Sequence, residues 1–449
     1  MFIRLVCCQD TMTSFIVEPY GSWQSIAHAQ QMAALLVQAH FDFVDSVDAA
    51  DIVIINSSNV DAPTADLIVK RLEEFKQRHP YKLVIIAGCI PPPKLAKPYS
   101  VLNSHQIHRI VEVVEETLSR NILKLTEVGE LPPLNLTKIR TSSIIEIIPI
   151  TLGCLRECVW CRETPTQADQ PLQSYPIAEI VEVARQALRE GSKQSSEQEN
   201  EKKINIKEIW LASVDSTSYG CDIGTNLAQL LPALVGLPGE FRILLSPAHI
   251  ASLRSCQDEL IGTLQHPKIF QYLHLPAYAG STKVLGELKQ GHTAAQFRDV
   301  IKLLRTHLPV ITIATNVVIG FPTETDDDFW QTLDLVRNTS PDTVEIISFV
   351  AQPKTSHARL PALGEEELAR RHKVISDIAH NTAILQNERW RTWQGSIIID
   401  EQGELPGEWI GHNDSYKPVS VNGMYKLGDV VRVKILRATT PALKGEVMR

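Results

Sequence analysis

The chain has 449 residues, with 44% hydrophobic and 21% charged side chains, 52 acidic against 44 basic groups, and a formal net charge of −8. That balance is typical of soluble globular proteins, and it weighs against a broad basic face for nucleic acid. No apolar run approaches the roughly 20 residues of a membrane span, and the start, MFIRLVCCQD, lacks a signal-peptide core and cleavage site, so a cytoplasmic protein without a membrane partner is expected.

A prior of about 150 residues per domain suggests about three domains. Eight cysteines in a chain this long do not make a dense disulfide framework, and clustered cysteines in a cytosolic protein point to metal or redox chemistry.

In chain order, SFIVEPYG reads as a strand and SIAHAQQMAALLVQAH as a helix with apolar residues at helical spacing. DIVIINSS is a buried strand, and TADLIVKRLEEFKQRHP a helix capped by Thr64 and stopped by Pro80. KLVIIAGC is another buried strand. Continuous apolar strands alternating with helices predict a small parallel sheet covered on both faces. We place this α/β domain at residues 1–122, followed by a Pro- and Leu-rich linker at 123–143 containing GELPPLNL.

The alternation resumes over 144–385. IIEIIPIT, EIWLAS, FRILLS, FQYLHL, ITIATNVVIG and TVEIISFV are six candidate strands, with helices such as IAEIVEVARQALREG, closed by Gly191, between them. Six strand–helix units predict a barrel or partial barrel whose chemistry sits at the C-terminal strand ends. Residues 193–203, KQSSEQENEKK, are a polar low-complexity insertion, read as a solvated loop. Over 391–449, short β segments punctuated by glycine predict a small β-barrel.

The stretch GCLRECVWC places Cys154, Cys158 and Cys161 in a Cys-x3-Cys-x2-Cys pattern directly after the first strand of the middle region. A structural zinc site wants four ligands, often two Cys-x2-Cys pairs, and no second pair is present. A redox disulfide needs only two cysteines. Three thiolates that leave one metal position open suit an iron–sulfur cluster; zinc or inert cysteines remain the alternatives on spacing alone.

This loop, at the head of a strand–helix barrel, resembles the radical S-adenosylmethionine superfamily. The longer stretches LTKIRTSSIIEIIPITLGCLRECVWC, YGCDIGTNLAQLL and ITIATNVVIGFPTETDDDF resemble the tRNA methylthiotransferases, in particular the archaeal and eukaryotic type acting on threonylcarbamoyladenosine beside the anticodon. The resemblance runs from about Phe15 to Met448. It implies a flavodoxin-like N-terminal domain, a radical S-adenosylmethionine (βα)6 partial barrel and a TRAM-like C-terminal β-barrel. It also implies one 4Fe–4S cluster on Cys154, Cys158 and Cys161, S-adenosylmethionine as cofactor, tRNA as partner, and an external electron donor of flavodoxin or ferredoxin type.

The same resemblance suggests cofactor contacts at Trp160, Asp215, Asn316 and Glu324. Trp160 stands where the family has an aromatic near the adenine, or simply packs the loop. Asp215 follows Val214, where the family usually has Glu or Gln. Asn316 takes the place of an Asp. Glu324, in GFPTET, either shapes the cofactor pocket or belongs to a turn capping the next helix at Thr325. His274, at the end of an apolar strand, reads first as a satisfied core residue. No catalytic acid or base can be named.

Several family features are missing. Of three N-terminal cysteines that hold a second cluster in the family, the first two positions fall on Ser22 and Ser58, and only Cys89 remains. Serine hydroxyls are poor iron–sulfur ligands, so a second 4Fe–4S cluster is not expected, unless Cys7 and Cys8 substitute. Other departures fall at Tyr278, Thr282, Gln290 and Gln352–Ser356. The tail cations Lys417, Lys426, Arg432, Lys434, Arg437 and Lys444 are candidates for binding phosphate or for an ordinary solvated surface. Three functions stay open: a methylthiotransferase, a repurposed one-cluster radical enzyme, and a catalytically silent tRNA-binding homologue.

Overall fold

A computed structural model describes residues 12–58, 62–88, 96–156, 158–159, 171–193, 204–351 and 359–448. The chain divides into two compact units, Met1–Thr141 and Ser142–Arg449. Among the described residues no helix is long and apolar enough to cross a membrane.

In the first unit the strands are β1 (Ser14–Gly21), β2 (Asp42–Phe43), β3 (Ile52–Ser58), β4 (Leu83–Gly88), β5 (Ser100–Leu102) and β6 (Lys124–Leu125). They form one parallel sheet in the order β2-β1-β3-β4-β5-β6. The first five follow the flavodoxin-like order, which reverses between β1 and β3. β3 is apolar over most of its length because both faces are covered. One face packs against the helices Trp23–Gln38 and Ile110–Leu118 through Met32, Leu36, Ile54 and Val113. The other packs through Ile68, Leu72 and Phe75 of the helix Ala62–Arg78. That helix begins at Ala62, two residues before the expected Thr64 cap. Pro63 is tolerated there because a proline in the first turn removes an N–H that has no intrahelical partner anyway.

In the second unit β7 (Ile145–Pro149), β10 (Glu208–Ala212) and β11 (Arg242–Leu245) form one parallel sheet, and β12 (Tyr272–His274), β13 (Thr312–Ile319) and β14 (Thr343–Ser348) form another. A parallel bridge between Ile243 and Ile269 joins the two edges. The result is a partial barrel of six parallel strands in chain order, as the apolar runs predicted. The short strands β8 (Thr151–Leu152) and β9 (Gln173–Ser174) pair antiparallel at its mouth. β13 is buried at every residue. The helix Ile177–Lys193 runs two residues past Gly191, its expected end. One glycine costs a helix only about 1 kcal/mol against alanine, too little to stop it alone.

The helix Glu365–Glu388 leads into a closed barrel, β15 (Gln394–Gln402), β16 (Glu408–His412), β17 (Pro418–Asn422), β18 (Val430–Arg437) and β19 (Leu443–Val447). Its core gathers Ile397, Ile399, Val419, Val421, Val433 and Ile435 around Trp390. This barrel is fastened to the N-terminal ends of the parallel strands. Tyr416 packs edge-on against Phe270 and Tyr272, ring centroids 4.9 and 5.5 Å away, and stacks on His412 at 4.1 Å. Arg242 pairs with Asp414 at 2.9 Å. Lys417, read from the sequence as a phosphate-binding or an ordinary solvated cation, is instead buried and ion-paired with Asp342.

Candidate functional site

The site lies at the C-terminal ends of the parallel strands. The chain leaves β8 through Gly153, at φ +74°, and immediately presents Cys154. Cys158 is buried and Cys154 partly so. Burial pushes the Cys154 thiol up to about 12, with the Asp215 and Cys158 charges adding and Arg156 opposing. It raises Cys158 too, against hydrogen bonding to Gln290 and the charge of Arg156. Neither sulfur would ionise readily at neutral pH without a cation at hand. Two soft donors in a dry pocket, with Cys154 within reach of the Cys158 charge, fit iron bound as thiolates. The third cysteine, Cys161, and Trp160 lie outside the described residues. Among the described residues alone, no group of three ligating side chains could hold a metal ion.

Asp215 is the hub of the pocket. It caps the short 3-10 helix Ser216–Ser218. Oδ1 accepts from Thr217 N (3.1 Å), Thr217 Oγ1 (2.6 Å) and His249 N (3.2 Å). Oδ2 accepts from Ser252 Oγ (2.8 Å) and Arg156 Nη2 (3.2 Å). Asp215 therefore ties the cysteine loop, the exit of β10 and the helix Ile250–Leu253 together. Of the cofactor contacts suggested by resemblance that lie among the described residues, it is the one tied by hydrogen bond to the cysteine loop.

Asn316 sits midway along β13. It donates through Nδ2 to Glu345 and meets His274 Nε2 through Oδ1, forming a polar row across β12, β13 and β14. His274 is thus a partnered core residue, and burial lowers its pKa, against its bond to Asn316. Tyr278, at φ +60°, has its backbone N–H bonded to Asn316 O (2.8 Å). Its phenol is raised well above the ordinary value, first by burial and then by the Cys158 and Cys154 charges. Its ring lies 6.3 Å from that of His249. A bulky residue in the left-handed region carries strain that surrounding structure must hold.

Glu324 follows β13. It accepts from Gly320 N (2.9 Å) and from Arg371 Nη1 (2.8 Å), with both side chains buried. Its Oε1 is buried without a donor among the described residues. Burial raises its pKa against the pull of Gly320 N–H and Arg371. Thr325 caps the helix Asp326–Thr339 in a capping box with Asp328, in line with the turn expected there. Glu324 combines that turn with an ion pair to the helix Glu365–Glu388 and keeps one acceptor oxygen free.

Sequence reasoning missed Arg156, Ser252 and the histidine pair His249 and His292, whose rings meet edge-on at 5.1 Å. Burial lowers both, His249 to about 3 and His292 to about 4, so they are neutral at physiological pH. His249 caps Ile250–Leu253, and a polar residue before an apolar run was the available signal.

In the first unit the β1/β3 and β3/β4 registers pair Gly21 with Ser58 and Ser57 with Gly88. Position 22 thus follows β1 and position 58 closes β3, at the C-terminal ends of two adjacent parallel strands beside the point where strand order reverses. Ser22 Oγ accepts from Gln24 N (3.3 Å) as the cap of Trp23–Gln38. Gly88 is needed, because a Cβ there would lie 1.8 Å from Ser57 O. Cys7, Cys8 and Cys89 lie outside the described residues, as does the stretch 352–356.

Three family models match the chain: the radical SAM superfamily over residues 148–336, the uncharacterised protein family UPF0004 over 14–105, and the TRAM domain over 396–448. The threonylcarbamoyladenosine tRNA methylthiotransferase of Drosophila melanogaster is 31% identical, over 96% of this chain and 77% of its own length. The probable threonylcarbamoyladenosine tRNA methylthiotransferase of Methanothermobacter thermautotrophicus is 29% identical, over 94% and 97%. Among solved structures, the radical S-adenosylmethionine methyltransferase TsrM from Kitasatospora setae superposes with TM-score 0.51 at 11% identity, over 75% of this chain and 72% of its own, a likeness of fold. With a sheet of flavodoxin-like order, a six-stranded parallel partial barrel bearing cysteines at its mouth, and a closed C-terminal barrel, the chain belongs to the threonylcarbamoyladenosine tRNA methylthiotransferase family of radical S-adenosylmethionine enzymes.

Proposed function

We propose that the chain methylthiolates threonylcarbamoyladenosine beside the tRNA anticodon, with Cys154, Cys158 and Cys161 holding one 4Fe–4S cluster to which S-adenosylmethionine binds. The observation that carries this reading is the placement of Cys154 and Cys158 at the barrel mouth, in a pocket too dry to ionise them unaided. When bound, the cluster and S-adenosylmethionine supply one-electron chemistry that ends in hydrogen-atom abstraction. The protein's share is to bind, to orient and to exclude water. Asp215 holds the cysteine loop against the helix Ile250–Leu253. Tyr278 packs its buried ring beside His249. Glu324 offers its free oxygen as an acceptor for an ammonium group, and Asn316 stiffens the wall of β13. A flavodoxin- or ferredoxin-type protein supplies the electron.

tRNA is the partner this reading gives to the C-terminal barrel. Lys426, Arg432, Lys434 and Arg437 make no ion pair among the described residues. Arg432 and Lys434 alternate along the outer face of β18. Lys444 is tied to Glu408 at 2.8 Å and Lys417 is buried, so neither is free for phosphate.

A second reading, one-cluster radical chemistry without sulfur insertion, draws on Ser22, whose hydroxyl is engaged in a helix cap where a second cluster would need a thiolate. Nucleoside analysis of tRNA from a deletion strain separates the two. Loss of a methylthio mark, restored by the wild-type gene but not by Cys154→Ala, supports methylthiolation. An unchanged nucleoside profile contradicts it.

A further inference from the structure

Arg156 lies between two of the proposed cluster ligands in sequence, where a long cation would ordinarily reach into water. Instead it is drawn inward, with only 14% of its side chain exposed. Nη2 donates to Asp215 Oδ2 at 3.2 Å and to Ser252 Oγ. Nη1 points to the other wall, where a methyl placed on Gly291 would lie 3.9 Å from it. Nε is buried and has no acceptor among the described residues. A buried donor without a partner is costly, and native structures seldom keep one unless a ligand, ion or water completes it. Asp215 does not account for this atom, since it meets the guanidinium through Nη2 and its other oxygen is filled by Thr217 and His249. The guanidinium is therefore fixed at one end and unsatisfied at another, beside Cys154 and Cys158, both of which feel its charge.

We propose that Arg156 is an S-adenosylmethionine-binding residue, with Asp215 and Ser252 as positioning residues that aim its free Nε–H at the cofactor's carboxylate. Planar, permanently charged and forked, a guanidinium suits that partner. The assignment rests on the cluster reading of Cys154, Cys158 and Cys161.

The test is equilibrium binding of S-adenosylmethionine to the anaerobically reconstituted full chain, with iron measured on the same samples. Arg156→Gln is expected to keep its iron and weaken binding at least tenfold, and Arg156→Lys to recover part of the loss. Ser252→Ala, which loosens the clamp without touching the charge, is expected to weaken binding about threefold. Wild-type affinity in Arg156→Gln with full iron overturns the assignment and leaves the cluster reading standing. If Arg156→Gln fails to hold iron, Ser252→Ala decides, and unchanged affinity there overturns it. A wild-type chain that takes up no iron sinks the cluster reading and this assignment with it.

Discussion

Lys417 of the C-terminal barrel and Asp342 at the foot of the parallel barrel form a buried ion pair, Nζ to Oδ1 2.7 Å, with side chains 6% and 3% exposed. Lys417 Nζ also donates to Asn387 Oδ1 at 2.8 Å. Removing one member leaves the other charge buried and uncompensated, which typically costs about 3–5 kcal/mol. Lys417→Met is therefore expected to lower the unfolding midpoint clearly, and the double change Lys417→Met with Asp342→Leu to recover much of the loss. Thermal unfolding of the two variants checks this. A single variant as stable as wild type would contradict it.

A second junction is sensitive to pH. Glu208, at the foot of β10, is pushed up to about 7 by burial and then by the Asp400 charge, with Trp210 Nε1 (2.7 Å) and His412 opposing. His412 contacts Asp400; burial lowers it, but that bond and the charges of Asp400, Glu208 and Glu401 win and raise it. Tyr272 and Tyr416 complete the surroundings. A carboxyl raised from 4.5 contributes stability that is complete below 4.5 and lost as pH rises to about 7. The imidazole acts in the same direction above its ordinary 6.5. Between pH 5 and 8 the wild type should lose stability relative to Glu208→Gln, whose side chain has no proton to lose. Parallel midpoint-against-pH curves for the two would refute this.

Much of this architecture is legible in the sequence, and the reasons differ by element. β3 and β13 show themselves as apolar runs because both of their faces are buried. The cysteine loop shows itself because its three cysteines are close together in sequence. Arg156 does not, because its partners Asp215 and Ser252 lie 59 and 96 residues away. Lys417 misleads for the same reason. A lysine among other basic residues reads as surface until the fold brings Asp342 to it. Thr64 and Gly191 show that local cap and stop signals are weak beside the packing of a whole helix face.

tRNA binding offers a third test. Arg432 and Lys434 on β18 make no ion pair among the described residues, and each cation that neutralises a phosphate adds about one to the salt slope of binding. The double alanine variant is expected to bind tRNA more weakly at low salt, with a shallower salt dependence. An unchanged slope would place the tRNA on another surface.

The N-terminal site gives a fourth. Ser22 caps the helix Trp23–Gln38, so Ser22→Ala should cost about 1 kcal/mol. Because positions 22 and 58 meet at the ends of the adjacent strands β1 and β3, and the sequence keeps Cys89, Ser22→Cys with Ser58→Cys should raise reconstituted iron from about four to about eight per chain, one further 4Fe–4S cluster. No gain in iron would mean that this edge has lost more than its thiolates.

Iron and acid-labile sulfide per chain after anaerobic reconstitution, with Cys154→Ala alongside, report on the cluster itself. About four of each are expected in the wild type, as one 4Fe–4S cluster requires, and almost none in the variant. Iron that survives Cys154→Ala, or a wild type that takes up none, would contradict the cluster reading.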